Sequence, residues 1–292
     1  MQITITGSLG NIGSSLTRNL VKAGHEVIVI TSNENRTIEI EALGAKAAVG
    51  SVSDAHFLTE AFSGSDAVFA MTPPNLGGEN VIANTTKAGK AFATAFQVAG
   101  VKRVVMLSSI GADLPNGNGP IEGLYHIEQI YKDLEGIAFT FLRAGYFYTN
   151  LYNDIPVIKG MNAIGANYPA ETIVPFVHPD DIATAAAEEL QRVPEGNEIR
   201  YVISDVRSAA DVAEVLGTAI GKPTLPWVEF TDEQSLQGMT QAGVPAEIAN
   251  LYTEMGTGIR TGKIQSDFIQ YASQVTGQIK LEEFAKDFAA KF

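Results

Sequence analysis

The chain lacks cysteine altogether and has only four histidines among its 292 residues. The absence of cysteine excludes disulfides, thiolate metal sites and cysteine nucleophiles. The four histidines, His25, His56, His126 and His178, are far apart and show no spacing typical of zinc ligands. The sequence therefore predicts neither a disulfide framework nor a metal site.

Positive charge is also scarce, because 20 lysines and arginines face 33 acidic residues and leave a formal net charge of −13. An acidic surface repels phosphate backbones, so we expect no nucleic-acid partner. No apolar run is long enough to span a bilayer, and the first residues show no signal-peptide pattern. We therefore expect a cytoplasmic protein that binds small molecules and has no membrane partner.

The first half of the chain alternates short apolar runs with helical patterns. Continuous β-branched runs are typical of parallel strands covered on both faces by helices. Strict alternation of strand and helix predicts right-handed crossovers and a doubly wound parallel Rossmann sheet of the α/β class, with strand order 3-2-1-4-5-6. The six predicted strands cover residues 3–6, 27–30, 45–49, 67–71, 104–107 and 139–142.

The pattern changes after about residue 150, where helices dominate. We predict a cofactor-binding Rossmann domain over 1–150 and a smaller, mainly helical substrate portion over 151–292. Two further strands are expected at 174–177 and 200–203, and segments within about 174–205 are expected to return to the Rossmann sheet. Asp54 and Asp181 are predicted to cap the helices that begin beside them.

Three glycines, Gly7, Gly10 and Gly13, follow the first predicted strand and open the first predicted helix. A strand, a glycine-rich turn and a helix in this order predict a dinucleotide-binding loop, because the glycines admit the pyrophosphate and the helix start supplies N–H groups. The alternative is an ordinary strand–helix turn. The predicted cofactor contacts in this loop are Gly7, Leu9, Gly10, Asn11, Ile12 and Gly13.

The G-x-x-G-x-x-G spacing of residues 7–13 resembles the short-chain dehydrogenase/reductase superfamily, and residues 104–109 (VVMLSS) are similar to its fifth strand. Residues 139–147 (FTFLRAGYF), followed by Asn150, and residues 176–183 (FVHPDDIA) resemble the atypical NmrA-like group. The stretch His126-Ile127-Glu128 is similar to type-2 NADPH:quinone oxidoreductases. The resemblance implies a nicotinamide cofactor and a reductase of small conjugated molecules.

The end of the second strand bears on the choice of cofactor. It has no acidic residue of the kind that favours NAD, and Arg36 could pair with the 2′-phosphate of NADP. The alternative makes Arg36 a solvated residue in a first helical turn. Two residues weaken the preference for NADP. Relatives often have a basic residue where Ser32 stands, and Glu34 lies nearby. We predict NADP(H) over NAD(H), with Ser32, Asn33 and Arg36 as contacts.

The fourth predicted strand ends close to the adenosine of a cofactor bound in this way. Met71, Thr72 and Pro73 are therefore predicted cofactor contacts, and the stretch Thr72-Pro73-Pro74 is predicted to form the wall beside the adenosine.

Many members of the superfamily use a Tyr-x-x-x-Lys pair to deliver a proton. None of the nine tyrosines here has lysine four residues later: Tyr125 is followed by Gln129, and Tyr131 by Glu135. The NmrA-like group commonly lacks this pair too, so its absence does not exclude an enzyme. Hydride transfer needs chiefly a well-placed nicotinamide and an acceptor at contact distance.

Four residues are candidates for the reacting end of the cofactor. Ser108 and Ser109 lie at the end of the fifth predicted strand, and Ser108 is predicted to contact the cofactor. The alternative is that both serines only complete the strand and have no role at the site. His126 could donate a proton or bond the acceptor, although a lone histidine is more often structural. Tyr146 could line the acceptor pocket or belong to the core. The catalytic candidates are thus Ser109, His126 and Tyr146.

Three functions compete. The first is an NAD(P)H-dependent reductase of a quinone-like or other conjugated small molecule. The second is a non-catalytic NADP(H)-sensing regulator of the NmrA type with a protein partner, which the missing tyrosine–lysine pair motivates. The third is an enzyme like the nucleotide-sugar epimerases and dehydratases, and it ranks last because such enzymes need that pair.

Overall fold

The computed structural model describes residues 1–73, 79–192, 196–272 and 274–292. Its strands are β1 (Gln2–Ile5), β2 (Glu26–Thr31), β3 (Lys46–Val49), β4 (Ala67–Ala70), β5 (Arg103–Ser109), β6 (Ala138–Ala144), β7 (Tyr146–Phe147), β8 (Ile164–Ala166), β9 (Ile173–Val177), β10 (Glu198–Val202), β11 (Asp205–Ser208) and β12 (Trp227–Glu229).

Helices connect most of these strands. They are α1 (Gly13–Lys22), α2 (Thr37–Ala42), α3 (Ala55–Phe62), α4 (Val81–Ala99), α5 (Glu122–Lys132), α6 (Ile155–Met161), α7 (Pro179–Gln191), α8 (Ala209–Ala219), α9 (Asp232–Gln241), α10 (Ala246–Arg260), α11 (Ser266–Tyr271) and α12 (Leu281–Lys291). Short 3₁₀ helices cover Glu34–Arg36, Gly119–Ile121 and Tyr148–Asp154. Among the described residues, no helix has both the length and the apolar character that crossing a membrane requires.

Seven strands form the central sheet in the order β10-β6-β5-β4-β1-β2-β3. Strand β1 pairs in parallel with β2 and β4, β2 with β3, and β4 with β5. All four residues of β4 are buried, as expected for a strand with helices over both faces. The predicted α/β Rossmann class and the order of its first six strands are confirmed, and β10 is an added edge strand.

The chain divides into two compact units, and each combines separate segments. Unit 1 comprises Met1–Ser109, Gly123–Arg143 and Ile182–Arg200, and unit 2 comprises Ile110–Glu122, Ala144–Asp181 and Tyr201–Phe292. The predicted assignment of cofactor binding to 1–150 and of substrate binding to 151–292 stays a prediction.

Unit 2 contains two small sheets. Strand β9 pairs in parallel with β7 and antiparallel with β11, and β12 pairs in parallel with β8. Segments within about 174–205 were expected to return to the central sheet. Strand β10 joins that sheet, whereas β9 belongs to the separate β11-β9-β7 sheet. The apolar pattern of β9 predicted a strand correctly but did not identify its neighbours.

The two predicted helix caps differ in outcome. Asp54 caps α3, because its carboxylate accepts the N–H groups of His56 at 2.9 Å and Phe57 at 3.3 Å. The prediction for Asp181 is wrong. Its carboxylate accepts the Ser204 hydroxyl and two backbone N–H groups of residues 278 and 279. Asp181 therefore fixes a distant segment of unit 2 in place and leaves the start of α7 uncapped by its side chain.

Aromatic rings dominate the core of unit 1. Phe96 of α4 stacks on Phe62 of α3 with ring centroids 5.3 Å apart, and it meets the edge of Tyr131 of α5 at 5.5 Å. Tyr131 in turn stacks on Phe139 of β6 at 5.2 Å. All four side chains are fully buried. Phe96 thus joins the helices of this unit to its sheet.

We expect Phe96→Ala to lower the free energy of unfolding by about 3–5 kcal/mol, because it removes a buried ring and leaves a cavity. Val98→Ala is the matched control on the same helix, since Val98 is 69% exposed, and it should change stability by less than about 0.5 kcal/mol. Urea unfolding of both variants measures the difference. Equal midpoints for the two variants would contradict the assignment of Phe96 to the core.

Candidate cofactor and active site

The turn between β1 and α1 has a backbone that needs glycine. Gly7 lies in the left-handed region at φ +96°, and Ser8 follows it at φ +54°. The Ser8 N–H donates to the carbonyl of Ile30 at 3.1 Å, which closes the turn against β2. A Cβ at Gly13 would overlap the carbonyl oxygen of Ser8. The start of α1 can therefore approach the turn only because residue 13 has no side chain.

Three backbone N–H groups of this turn are available to a ligand. Within the described residues, the N–H groups of Leu9, Asn11 and Ile12 donate to no protein acceptor. Ile12 is the residue before α1, no side chain caps the helix there, and its own side chain is buried. Unsatisfied N–H groups at a helix start attract anions. The loop thus fits the diphosphate of a dinucleotide, which it would hold through backbone atoms.

The ends of β1 and β4 lie side by side at this loop. The Thr6 hydroxyl accepts the N–H of Met71 at 2.7 Å and lies 3.1 Å from the Met71 carbonyl oxygen. The methyl end of Met71 fills the space that a Cβ on Gly7 would need. Met71 and Thr72 are partly buried and Pro73 is exposed, whereas Pro74 lies outside the described residues. Met71 is thus placed against the first glycine of the loop.

Arg36 lies beside the same loop. Its guanidinium donates to the Ser8 hydroxyl at 3.4 Å, and Ser8 donates to the Thr31 hydroxyl at 3.0 Å. Ser32 is exposed, and the Asn33 side chain accepts the N–H of Asn35 at 3.0 Å, where it caps the 3₁₀ helix that contains Arg36. The sequence predicted that Arg36 is near the cofactor, and the structure brings this cation to the glycine turn.

Behind the end of β5 lies a buried ion pair. Glu128 of α5 is fully buried and accepts from Arg143 of β6 at 2.8 and 3.1 Å. The Ser108 hydroxyl donates to the same carboxylate at 2.7 Å, and Lys132 donates at 3.2 Å. The Ser108 hydroxyl is therefore engaged inside the protein, which favours the alternative that Ser108 completes the strand.

The three catalytic candidates stay predictions, and their positions differ. Ser109 ends β5 and is partly exposed. His126 lies on α5, partly exposed, with its ring against that of Tyr125 at 5.4 Å. Both belong to unit 1, whereas Tyr146 belongs to β7 of unit 2 and meets the ring of Phe176 at 5.7 Å. Burial raises the pKa of Tyr146 well above its ordinary value, so it is a hydrogen-bond donor at neutral pH.

Sequence reasoning assigned no role to several polar residues that the fold buries at least in part, namely Glu128 and Arg143 in unit 1 and Asp154, Tyr168 and Tyr252 in unit 2. No local motif marks them, because their partners are distant in sequence. The helical pattern of α5 shows only that Glu128 lies on the same helix as His126. The stretch that resembles the quinone oxidoreductases includes Glu128, but the resemblance implies no role for it.

The chain belongs to the NmrA-like family, since the model of that family matches residues 1–285. This confirms the family that the segments at 139–150 and 176–183 indicated.

Individual proteins of known name are similar over nearly the whole chain. An NAD(P)H azoreductase from Xenophilus azovorans is 29% identical over 99% of both chains. A quinone oxidoreductase from Escherichia coli, solved with NADPH, matches with a TM-score of 0.83 and 19% identity over 98% of this chain and 99% of that one. Triphenylmethane reductase from Citrobacter sp., solved with NADP(H), matches with a TM-score of 0.78 and 22% identity over 98% of this chain and 99% of that one. The two solved structures show that the fold extends over the whole chain.

We expect Gly13→Ala to weaken NADPH binding at least about tenfold, because its methyl group would displace the Ser8 carbonyl and the N–H groups beside it. Gly238→Ala is the control, since Gly238 lies in α9 with open space around its Cα. Titration calorimetry measures both affinities. Unchanged binding by the Gly13 variant would show that the loop does not hold the cofactor.

A second prediction concerns the buried ion pair. Glu128→Ala leaves the Arg143 guanidinium buried without its carboxylate, and we expect it to lower the free energy of unfolding by about 3–5 kcal/mol. Asp133→Ala removes an exposed carboxylate just after the same helix and should change stability by less than about 0.5 kcal/mol. Thermal and urea unfolding measure the two effects. If Glu128→Ala lowered the free energy of unfolding by less than about 1 kcal/mol, the ion pair would contribute little to the stability of the fold.

Proposed function

We propose that this chain is an NAD(P)H-dependent reductase that passes a hydride to a quinone-like, azo or other conjugated small molecule. The observation with the most weight is the glycine turn, with three N–H groups open to a diphosphate within the described residues. The named azoreductase of similar sequence supports a reductase of conjugated acceptors. A bound nicotinamide would supply the hydride.

The residues of unit 1 bind and position such a cofactor. The N–H groups of Leu9, Asn11 and Ile12 would hold the diphosphate, and Met71 and Thr72 would flank the adenosine. Ser109, at the carboxyl end of β5, lies where ligands of a Rossmann sheet bind, outside the ends of the parallel strands. His126 is a candidate for bonding the acceptor. A rigid cofactor site without a tyrosine–lysine pair suits an acceptor that needs orientation more than strong acid catalysis.

NADPH is the favoured form of the cofactor. Arg36 donates to the Ser8 hydroxyl of the glycine turn, and its planar guanidinium suits a phosphate. The two solved relatives were crystallised with NADPH and with NADP(H), respectively. Glu34 is exposed in the 3₁₀ helix that contains Arg36. Its negative charge opposes the 2′-phosphate and so limits the preference for NADPH over NADH.

The test of this proposal follows the oxidation of NADPH by its near-ultraviolet absorbance, with a panel of quinones, azo dyes and triphenylmethane dyes. We expect steady turnover with at least one acceptor class. Tight NADPH binding without turnover on any acceptor would reject the reductase and favour an NADP(H)-sensing regulator. Recovery of a protein partner that depends on the cofactor's redox state would then support that alternative.

We expect Arg36→Ala to weaken NADPH binding roughly 10- to 100-fold, as the loss of a charge-assisted hydrogen bond implies. NADH binding should change less than about threefold, because NADH lacks the 2′-phosphate. Lys46→Ala also removes one positive charge from unit 1, at an exposed pair with Glu26, and controls for net charge. Equal losses for NADPH and NADH would place Arg36 away from the 2′-phosphate.

A further inference from the structure

Two Asn-Gly pairs follow one another in the segment after β5. They are Asn116-Gly117 and Asn118-Gly119, and the sequence contains no other Asn-Gly pair. Asparagine is one of the thermolabile residues, and a following glycine exposes it to attack by the backbone because glycine has no side chain to hinder the approach. Because the two pairs have the same local sequence, a difference between them in the folded protein must come from the fold.

The first pair is open to solvent. Asn116 is exposed, and its side-chain amide has no hydrogen-bond partner in the described part of the chain. Gly117 lies in the left-handed region at φ +75°, and apart from its chain neighbours no atom lies within 4 Å of the position that a Cβ would take. The Gly117 N–H donates to no acceptor among the described residues. The Asn116 side chain is therefore free to turn towards this backbone nitrogen.

The second pair is held inside unit 2. Asn118 is fully buried, and its side-chain amide donates to the backbone carbonyls of Gly111 at 2.8 Å and Leu114 at 3.0 Å. A Cβ on Gly119 would lie 2.2 Å from the carbonyl oxygen of Leu251, so the Gly119 backbone packs directly on α10. The Asn118 side chain can turn only if both hydrogen bonds break and the chain beside it moves away from the helix.

We propose that Asn116 is a site of spontaneous deamidation in the folded protein, and that the fold protects Asn118 from the same reaction. The reaction needs neither a cofactor nor an acceptor, so it is independent of the proposed reductase activity. Water is its co-reactant, and exposed loop residues such as Asn116 are in contact with water.

The modification takes two steps. The Gly117 backbone nitrogen attacks the side-chain carbonyl carbon of Asn116, an N–C bond forms, and the bond to the side-chain nitrogen breaks. The backbone N–H proton passes to solvent, and the leaving nitrogen takes a proton from solvent and departs as ammonia. Water then opens the cyclic imide at either carbonyl carbon, which leaves aspartate or isoaspartate at position 116. Nothing is oxidised or reduced.

The isoaspartate product changes how this loop contacts α10. The carbonyl oxygen of Gly117 lies 2.8 Å from the position that a Cβ on Gly258 would take, so the loop lies against the helix at a residue without a side chain. The 3₁₀ helix Gly119–Ile121 packs on α10 as well. In isoaspartate the main chain runs through the side-chain carbon and is longer by one atom just before Gly117. The Gly117 carbonyl is therefore displaced from Gly258, and the loop is held less firmly.

The first experiment incubates the folded protein in warm, mildly alkaline buffer and follows the tryptic peptide of residues 104–132 by mass spectrometry. Fragment ions separate modification at 116 from modification at 118. We expect Asn116 to be converted at least about tenfold faster than Asn118, because the latter must first lose two hydrogen bonds. Aspartate and isoaspartate forms of the peptide are resolved by chromatography.

Two controls accompany this measurement. In concentrated urea both pairs should react at similar rates, because the fold no longer protects Asn118. The folded Asn116→Gln variant should show no conversion at position 116 over the same period, since the longer side chain does not form the cyclic imide readily. Equal rates at the two asparagines in the folded chain would overturn the inference. Conversion of Asn116 in urea but not in the folded chain would overturn it as well.

The second experiment compares hydrogen exchange in the loop and in α10 before and after incubation. We expect faster exchange in incubated wild type and no change in incubated Asn116→Gln. Asn116→Asp adds the negative charge without lengthening the main chain, and it should exchange like fresh wild type. Unchanged exchange in fully modified wild type would contradict the loosening of the loop. Exchange in Asn116→Asp as fast as in modified wild type would contradict the role of the longer main chain.

Discussion

Backbone N–H groups at the start of α1, which find no acceptor within the described chain, are the constraint on which the rest of this account depends. They stay open because Gly7 bends the chain through the left-handed region and Gly13 lets the helix approach the Ser8 carbonyl. An anion with several oxygens satisfies such groups better than water does, since the helix start also has a partial positive charge. The protein's net charge of −13 does not oppose this, because the contacts act at short range.

Most of unit 1 could be predicted from the sequence, because its signals are local. Runs such as Val27–Ile30 are apolar at every position, which is typical of a strand covered on both faces. The glycines at 7, 10 and 13 mark a backbone requirement that few other residues meet. The order of the first six strands followed from assigning the alternation of strands and helices to the doubly wound Rossmann fold.

Unit 2 could be predicted only in part, because its contacts join distant segments. The acidic Asp181 at a helix start suggested a cap, yet its carboxylate binds Ser204 and the backbone at 278–279. The same limit applies to Ser108 in unit 1, whose strand position suggested a cofactor contact, whereas its hydroxyl donates to Glu128 on α5. No motif marks Asp154 either, because the burial that raises its pKa arises only in the folded chain.

The most direct test of the central claim compares the binding of NADPH with that of reduced nicotinamide riboside, which lacks the diphosphate and the adenosine. If open N–H groups at the start of α1 hold the diphosphate, NADPH should bind saturably in titration calorimetry, and the riboside should show no saturable heat at the same concentrations. Equal affinity for the two ligands, or no binding of NADPH at millimolar concentration, would contradict the account.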